Sequence, residues 1–224
     1  MALISHRGAA GLAPENSLDS ITIANRFRPK FIEVDLHRTI DGVFILFHGA
    51  LKQTLSGAPR KETFEQLKAE HPYLATLNQA LKHKTEAPLL FDIKCTTATD
   101  ELISTLKNEG MPREFSFTSP HPGTLYELKK AFPHSRTFIS QPYWHGPVAA
   151  IELARDYGFS GVTLNKWWLN PSTYWLCGKY GKEINAYTIN HSLWIWLAQK
   201  FYKRAFITTN HPDRYRKHYP LHQD

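Results

Sequence analysis

The sequence lacks the features that mark secreted, membrane-spanning or disulfide-stapled proteins. It has two cysteines, Cys95 and Cys177, which cannot form a disulfide framework and have no metal-ligand spacing, as expected in a reducing compartment. No run reaches the roughly 18 uninterrupted apolar residues of a membrane span, and the first residues lack the apolar region of a signal peptide. The sequence therefore predicts no transmembrane segment and a cytoplasmic location.

Linkers rich in Pro, Gly or Ser and low-complexity tracts are also missing. Aromatic residues make up 13% of the 224 residues and apolar residues 42%, which excludes disorder and predicts a substantial core. We therefore expect one domain over residues 1–224. The net charge of +7 favours anionic partners. Because the basic residues are spread along most of the chain, we expect no nucleic acid among these partners. The oligomeric state is left open.

One apolar stretch, residues 31–36, carries two carboxylates at alternate positions. Successive side chains of a strand point to opposite faces, so Glu33 and Asp35 share one face, and Ile32, Val34 and Leu36 share the other. Two ionised carboxylates about 6 to 7 Å apart repel each other, so one must take up a proton or a cation must lie between them. We predict a hard metal ion at this place. The alternative is a solvated pair on an edge strand.

Strand and helix patterns alternate from one end of the chain to the other. The strand-like runs are residues 2–5, 31–36, 43–47, 89–93, 115–117, 136–139, 161–164, 183–188 and 205–207. Counted with the helical patterns, they give eight β/α units, which predicts an α/β protein with a (β/α)8 TIM barrel. A doubly wound open sheet is the alternative. The polar segment 49–73, with a short helix at 62–69, is predicted to be a short insertion after the second strand.

Further polar side chains come where the predicted strands end, which is where a barrel places its reactive residues. Asp92 and Lys94 repeat the alternation of the first carboxylate pair. Three carboxylates leave open positions on Mg²⁺ or Ca²⁺ for water and a substrate phosphate, and Arg7 and Lys94 can add positive charge. His6 and His48 also follow strands. Their ordinary pKa near 6.5 suits a proton acceptor and a proton donor at neutral pH.

Together these residues resemble the glycerophosphodiester phosphodiesterase family. The resemblance extends over nearly the whole chain and rests on His6-Arg7-Gly8, Pro14-Glu15-Asn16-Ser17, Glu33-x-Asp35, Asp41-Gly42, His48, Asp92-x-Lys94, Ser119-Pro-His-Pro, Tyr187-Thr-Ile-Asn190 and Thr209-Asn-His-Pro212-Asp. It implies a TIM barrel in which a divalent cation, Mg²⁺ or Ca²⁺, is held by Glu33, Asp35 and Asp92. It also implies His6 and His48 as the catalytic acid/base pair and Arg7 and Lys94 as contacts to the substrate phosphate.

The resemblance implies metal-dependent hydrolysis of a glycerophosphodiester to glycerol 3-phosphate and an alcohol, by attack of the neighbouring glycerol hydroxyl through a cyclic phosphate. The chain departs from the family's usual Asp at Gly49, its usual Glu at Asp92 and its usual Asp at Asn210. Asp-x-Lys also resembles related phospholipase D-type toxins, so lysophospholipids are an alternative substrate. A catalytically weak barrel that binds phosphodiesters is a second alternative.

Two local predictions concern a helix start and the tryptophans. Asn16, with Asp19 three residues later, is predicted to cap the first helix. The spacing of Trp194, Leu197 and Phe201 favours burial against the barrel, so we expect Trp194 and Trp196 in the core. Trp167 and Trp168 follow a strand end, where packing and a substrate wall are equally open. We include Trp167 among the substrate-binding candidates.

Overall fold

The computed structural model describes residues 2–49, 60–108, 114–141 and 146–215. The strands are β1 (Ala2–Ser5), β2 (Phe31–Arg38), β3 (Phe44–Leu46), β4 (Ala75–Thr76), β5 (Leu89–Ile93), β6 (Phe115–Ser119), β7 (Thr137–Ser140), β8 (Gly161–Asn165), β9 (Glu183–Tyr187) and β10 (Phe206–Thr209). The α-helices are α1 (Leu18–Asn25), α2 (Phe64–Glu70), α3 (Leu77–Lys82), α4 (Thr99–Asn108), α5 (Pro122–Ala131), α6 (Pro147–Asp156), α7 (Pro171–Lys179) and α8 (Ser192–Phe201). Short 3₁₀ helices lie at Lys166–Trp168 and Pro212–Arg214.

Eight parallel strands close into a ring in the order β1, β2, β5, β6, β7, β8, β9, β10. Strand β1 completes the ring because it pairs with both β2 and β10. Its Ile4 lies opposite Phe31 on one side and opposite Thr208 on the other. A doubly wound sheet would leave two open edges, so this alternative is wrong and the predicted (β/α)8 barrel is confirmed.

The predicted strand 43–47 exists as β3, but it lies outside the ring. It pairs antiparallel with the end of β2 and with β4. A tight turn makes this reversal: Thr39 Oγ1 accepts a hydrogen bond from the Val43 N–H at 2.9 Å, and Gly42 has φ +91°. The predicted helix of the insertion is α2, which follows β3 in the chain. Residues 50–59 of the insertion lie outside the described residues.

Strand β2 is buried on both faces. Phe31 packs inside the barrel with Ile4, Leu90, Phe138 and Phe206, whereas Ile32, Val34 and Leu36 belong to the layer between the barrel and its helices. The expected separation of Glu33 and Asp35 from Ile32, Val34 and Leu36 is therefore observed. The edge-strand alternative is wrong, since β1 and β5 flank β2 on both sides. Burying each large apolar side chain contributes about 1.5 to 3 kcal/mol.

Helix α8 corrects the predicted burial of Trp194 and Trp196. Its buried residues are Ile195 and Ala198, whereas Trp194 is 57% exposed and Trp196 52% exposed. The helix is apolar on every side, so the spacing of apolar residues does not determine which side faces the barrel. The smaller Ile195 and Ala198 allow close approach to β9 and β10. None of the described helices combines the length and apolar character that crossing a bilayer requires.

Candidate active site

Three carboxylates meet inside the barrel, toward the carboxyl ends of its strands. Glu33 and Asp35 come from β2, and Asp92 comes from β5 directly opposite Asp35 in the strand register. One oxygen of each lies within 4.8 Å of the others. The structure thus brings together all three residues predicted as metal ligands. Asp92, although one methylene shorter than the Glu usual in the family, still reaches the cluster.

The cluster has the properties of a cation site. Burial and the neighbouring Asp35 and Asp92 raise the pKa of Glu33 well above its ordinary value. Burial and Asp35 likewise raise the pKa of Asp92, and Asp92 Oδ1 is buried without a hydrogen-bond partner among the described residues. Oxygens that bind one Mg²⁺ or Ca²⁺ at about 2.0 to 2.6 Å can be separated by up to twice that distance. The three carboxylates therefore fit a divalent cation.

Asp35 is the most heavily bonded member of the cluster. Its oxygens lie 3.1 Å from Lys94 Nζ, 3.1 Å from Arg7 Nε and 3.3 Å from His48 Nδ1. Burial alone would raise the pKa of Asp35, but Lys94, His48 and Arg7 hold it well below its usual range. Asp35 therefore stays ionised while Glu33 and Asp92 favour a proton or a cation.

Lys94 is buried among the carboxylates. Its Nζ lies 2.5 Å from Asp92 Oδ2, and the residue is only 8% exposed. Burial would lower the pKa of Lys94, but Asp92 and Asp35 raise it above the ordinary value. A fixed ammonium group is thus part of the site. Its predicted contact with a substrate phosphate stays a prediction.

Arg7 ties the loop after β1 to the cluster. Its N–H donates to Glu33 Oε2 at 2.8 Å, and its Nη1 donates to Glu15 Oε2 at 2.7 Å. The next residue, Gly8, has φ +77°, and a Cβ there would lie 2.1 Å from Ser20 Oγ. Only glycine fits this close turn, so the local backbone fixes the position of Arg7. Its predicted phosphate contact is likewise untested.

The two histidines predicted to be catalytic both contact this arrangement. His6 Nδ1 lies 2.5 Å from Asn210 Oδ1, and its Nε2 is 3.8 Å from Glu33 Oε2. Burial and the adjacent Arg7 lower the pKa of His6 to about 4. His48 has Nδ1 toward Asp35, and its Nε2 accepts from Arg7 Nη2 at 3.2 Å. The structure therefore brings both rings to the carboxylate cluster.

Asn16 has a different role from the predicted helix cap. Its Nδ2 donates to Asp35 Oδ2 at 3.1 Å, and its Oδ1 accepts from the Asp35 N–H at 3.0 Å. Ser17 is the true cap of α1, because its hydroxyl accepts from the Ser20 N–H while the Ser20 hydroxyl accepts from the Ser17 N–H. The prediction was wrong by one residue because Asn and Ser are both good caps. Because Ser17 caps the helix, the Asn16 side chain is available to orient Asp35.

Two asparagines, Asn210 and Asn190, form a hydrogen-bonded amide chain that supports His6. Asn210, whose side chain contacts His6, donates its own N–H to Asn190 Oδ1 at 2.9 Å, and Thr209 Oγ1 donates to the same oxygen at 3.1 Å. Both asparagines follow strand ends in the sequence, but their supporting role was not predicted. At position 210 a neutral amide takes the place of the family's usual carboxylate and still gives the ring an acceptor.

Trp167 lies on a different side of the barrel from the carboxylates. It belongs to the 3₁₀ helix after β8, which is across the ring from β2, and it is 72% exposed. It lines a cavity of about 330 Å³ whose other walls include Asn190 and α8. The cavity therefore joins Trp167 to the amide chain behind His6. Its predicted contact with substrate stays a prediction.

Comparison with known proteins identifies the family. The sequence model of the Glycerophosphoryl diester phosphodiesterase family matches residues 6–138, more than half of the chain, including His6, His48 and the three clustered carboxylates. The chain belongs to this family. A 55-residue stretch is 40% identical to the glycerophosphodiester phosphodiesterase of Bacillus subtilis (strain 168), and the match covers 24% of this chain and 19% of that relative. The matched stretch thus spans about a fifth of the relative's length.

Solved structures of similar proteins share the fold over almost the whole chain. A glycerophosphodiester phosphodiesterase from Parabacteroides distasonis has a TM-score of 0.77 at 21% identity, covering 96% of this chain and 94% of its own. One from Thermotoga maritima has a TM-score of 0.75 at 16% identity, covering 95% and 96%. An Oleispira antarctica phosphodiesterase, in complex with the product sn-glycerol-3-phosphate, has a TM-score of 0.77 at 22% identity, covering 96% and 95%. At these identities the likeness shows the fold.

Proposed function

We propose that this protein hydrolyses glycerophosphodiesters to glycerol 3-phosphate and an alcohol, with a divalent cation as cofactor. The observation that carries the proposal is the buried cluster of Glu33, Asp35 and Asp92, which His6 and His48 contact at the carboxyl ends of the strands. Family membership and the product bound to the Oleispira antarctica relative support the same reaction.

Glu33, Asp35 and Asp92 would hold the cation, and Arg7 and Lys94 add two fixed positive charges beside it. When bound, such a cation supplies charge stabilisation for a phosphoryl oxygen. Arg7 and Lys94 would stabilise the negative charge that develops on the substrate phosphate, because Asp35 already holds both cations in position. Mg²⁺ and Ca²⁺ are both compatible with an all-oxygen ligand set.

His6 and His48 would transfer the protons. One ring accepts the proton of the attacking hydroxyl and the other donates a proton to the leaving alcohol. Asn210 accepts a hydrogen bond from His6 Nδ1 and so leaves Nε2 as the free acceptor of the neutral ring. The neighbouring hydroxyl of the glycerol unit is the nucleophile in this proposal, because an internal group has a far higher effective concentration than an external one. Its attack on phosphorus releases the alcohol and leaves a cyclic phosphate, which a water molecule then opens to glycerol 3-phosphate.

The test measures glycerol 3-phosphate released from glycerophosphocholine with Mg²⁺, with Ca²⁺ and with EDTA. We expect release with a metal, none with EDTA, and a loss in the His6→Ala variant of at least about 100-fold. His134→Ala, which removes an exposed histidine, is the matched control and should retain activity. Release that continues in EDTA would contradict the metal requirement, and unchanged release by His6→Ala would contradict the assignment of the site.

A lysophospholipid is the second candidate substrate, favoured by the apolar cavity beside Asn190. In that case choline release from lysophosphatidylcholine should exceed release from glycerophosphocholine, because the acyl chain gains apolar contact that the shorter substrate lacks. A Trp167→Ala variant should then lose activity on the acylated substrate alone. Absence of turnover on both substrates, with Mg²⁺ or Ca²⁺ present, would favour a catalytically weak phosphodiester-binding barrel. That alternative rests on two departures from the family pattern, Gly49 and Asp92.

A further inference from the structure

The tryptophans are concentrated in one segment of the chain. Five of the six lie between positions 167 and 196, and all five are exposed, by 40% to 72%: Trp167, Trp168, Trp175, Trp194 and Trp196. Tryptophan is highly buried on average in folded proteins because its large ring gains most from leaving water. Five exposed rings in one short segment therefore call for something that covers them.

Helix α8 carries most of this apolar surface. Ile195 and Ala198 face the barrel. At 100° per residue, Leu193 lies about 170° from the centre of this buried side, Trp196 and Leu197 about 130°, and Phe201 and Trp194 on one flank at about 90° and 70°. Leu193, Trp194, Trp196 and Phe201 are each more than 50% exposed there.

Trp167 extends this surface, since it lines the same cavity as Trp194 and Phe201. We name Trp167, Leu193, Trp194, Trp196 and Phe201 the aromatic face. It lies beside the carboxyl ends of β8 and β9, because the Lys166–Trp168 helix directly follows β8 and α8 begins shortly after β9.

Lysines lie beside the rings of the aromatic face and give this part of the surface a positive charge. Lys166 Nζ lies 5.1 Å from the centre of the Trp167 ring, and Lys200 Nζ lies 5.1 Å from the Trp196 ring and 5.6 Å from the Phe201 ring. Residues 166–204 contain one acidic residue, Glu183, and these basic ones: Lys166, Lys179, Lys182, Lys200, Lys203 and Arg204. Glu183 is paired with Arg136. The cations beside the aromatic rings therefore have no carboxylate from this segment to neutralise them.

We propose that the aromatic face docks on the surface of an anionic lipid bilayer. Tryptophan rings favour the interface between headgroups and acyl chains, and lysines beside them can place their charge among anionic headgroups. A helix of ten residues lying along the surface would insert its outer apolar side without crossing the bilayer. A second copy of this chain fits less well, because it would bring Lys166 and Lys200 against like charges.

Docking would bring the side of the barrel that carries α8, and the rim of the opening beside it, against the membrane. The cavity below Trp167 and Trp194 is also lined by Asn190, which holds Asn210 beside His6. The surface that contacts lipid and the site that contains the carboxylates thus open at the same end of the barrel. The proposal concerns binding, which is measured without turnover, so its failure is distinct from failure of the proposed hydrolysis.

Vesicle sedimentation tests the proposal directly. The full chain should sediment with vesicles of phosphatidylcholine and phosphatidylglycerol at low salt and stay in solution with phosphatidylcholine alone. Its tryptophan emission should shift to shorter wavelength on binding, because rings leave water. Trp194→Ala with Trp196→Ala should weaken binding by about tenfold or more, and Lys200→Glu should weaken it by about fivefold or more.

Helix α5 provides matched controls on a different side of the barrel. Tyr126 is exposed there, with Lys130 Nζ 5.5 Å from its ring, so Tyr126→Ala and Lys130→Glu remove the same kinds of group. Both controls should bind vesicles as the parent chain does. No sedimentation with anionic vesicles, or equal losses in the controls and the aromatic-face variants, would overturn the proposal. A stable dimer that Trp194→Ala with Trp196→Ala dissociates would also overturn it, by showing that a second copy covers the face.

Discussion

Two sides of the barrel opening differ in the partners that their side chains have within the protein. Around β1, β2 and β5 each charge has a partner within the protein: Asp35 contacts Lys94, Arg7 and His48. Around β8 and β9 the large side chains are exposed, and their lysines contact aromatic rings rather than carboxylates. The first side is organised before any ligand arrives, as electrostatic catalysis requires. The second side is the one that we propose to dock on an anionic bilayer.

The largest effect is expected from Asp35→Asn on the organised side. This change removes the carboxylate charge that Lys94, Arg7 and His48 share, so hydrolysis of glycerophosphocholine should fall on the order of 10³-fold. Steady-state kinetics at saturating metal measures the loss. Asp156→Asn removes an exposed carboxylate that pairs with Arg155 and should leave the rate unchanged. A rate near that of the parent chain in Asp35→Asn would show that the ion-pair network is not needed for the reaction.

The next effect separates the inner and outer sides of α8. Ile195→Ala should lower the free energy of unfolding by about 2 to 5 kcal/mol, because Ile195 is 1% exposed and its loss leaves a cavity. Trp196→Ala should change it by less than about 0.5 kcal/mol, since its ring lies largely in solvent. Urea unfolding followed by circular dichroism measures both. If Trp196→Ala is the more destabilising of the two, the ring packs against the barrel, and the original prediction from helical spacing would be right.

A smaller effect is expected where the two sides meet, at Asn210. Asn210→Ala removes the acceptor for His6 Nδ1, so kcat should fall by up to about 100-fold through misplacement of the ring. The KM should change little, because Asn210 does not reach the carboxylate cluster directly. Asn210→Asp keeps an acceptor oxygen and should retain most of the activity. Equal losses in both variants would argue that Asn210 supports the loop rather than the ring.

The carboxylate side was largely predictable from sequence. Alternation along β2 and β5 places Glu33, Asp35 and Asp92 on the inner face, and the barrel topology brings their strands together. His6 and His48 were found because each directly follows a strand. These predictions depend on the backbone periodicity of strands, which tertiary contacts alter little.

The supporting residues and the aromatic side were less predictable. Asn16 and Ser17 are neighbouring residues that both favour a helix cap, and only the buried contact with Asp35 distinguishes them. Trp194 and Ile195 are both apolar residues of one helix, so periodicity gives no reason to prefer either as the buried one. In both cases the buried residue is the one whose side chain fits against a neighbouring strand. That fit depends on residues distant in the sequence, so the local pattern does not predict it.

The most direct test of the carboxylate cluster as a cation site is a calorimetric titration of the full chain with Mg²⁺ and with Ca²⁺. We expect one binding site per chain for at least one of these ions, and loss of that binding in Glu33→Gln and Asp92→Asn but not in Asp156→Asn. Thermal unfolding of the parent chain should shift upward with the same ion, because a ligand of the folded state stabilises it. Binding that survives Glu33→Gln together with Asp92→Asn would contradict the assignment of the cluster as the cation site.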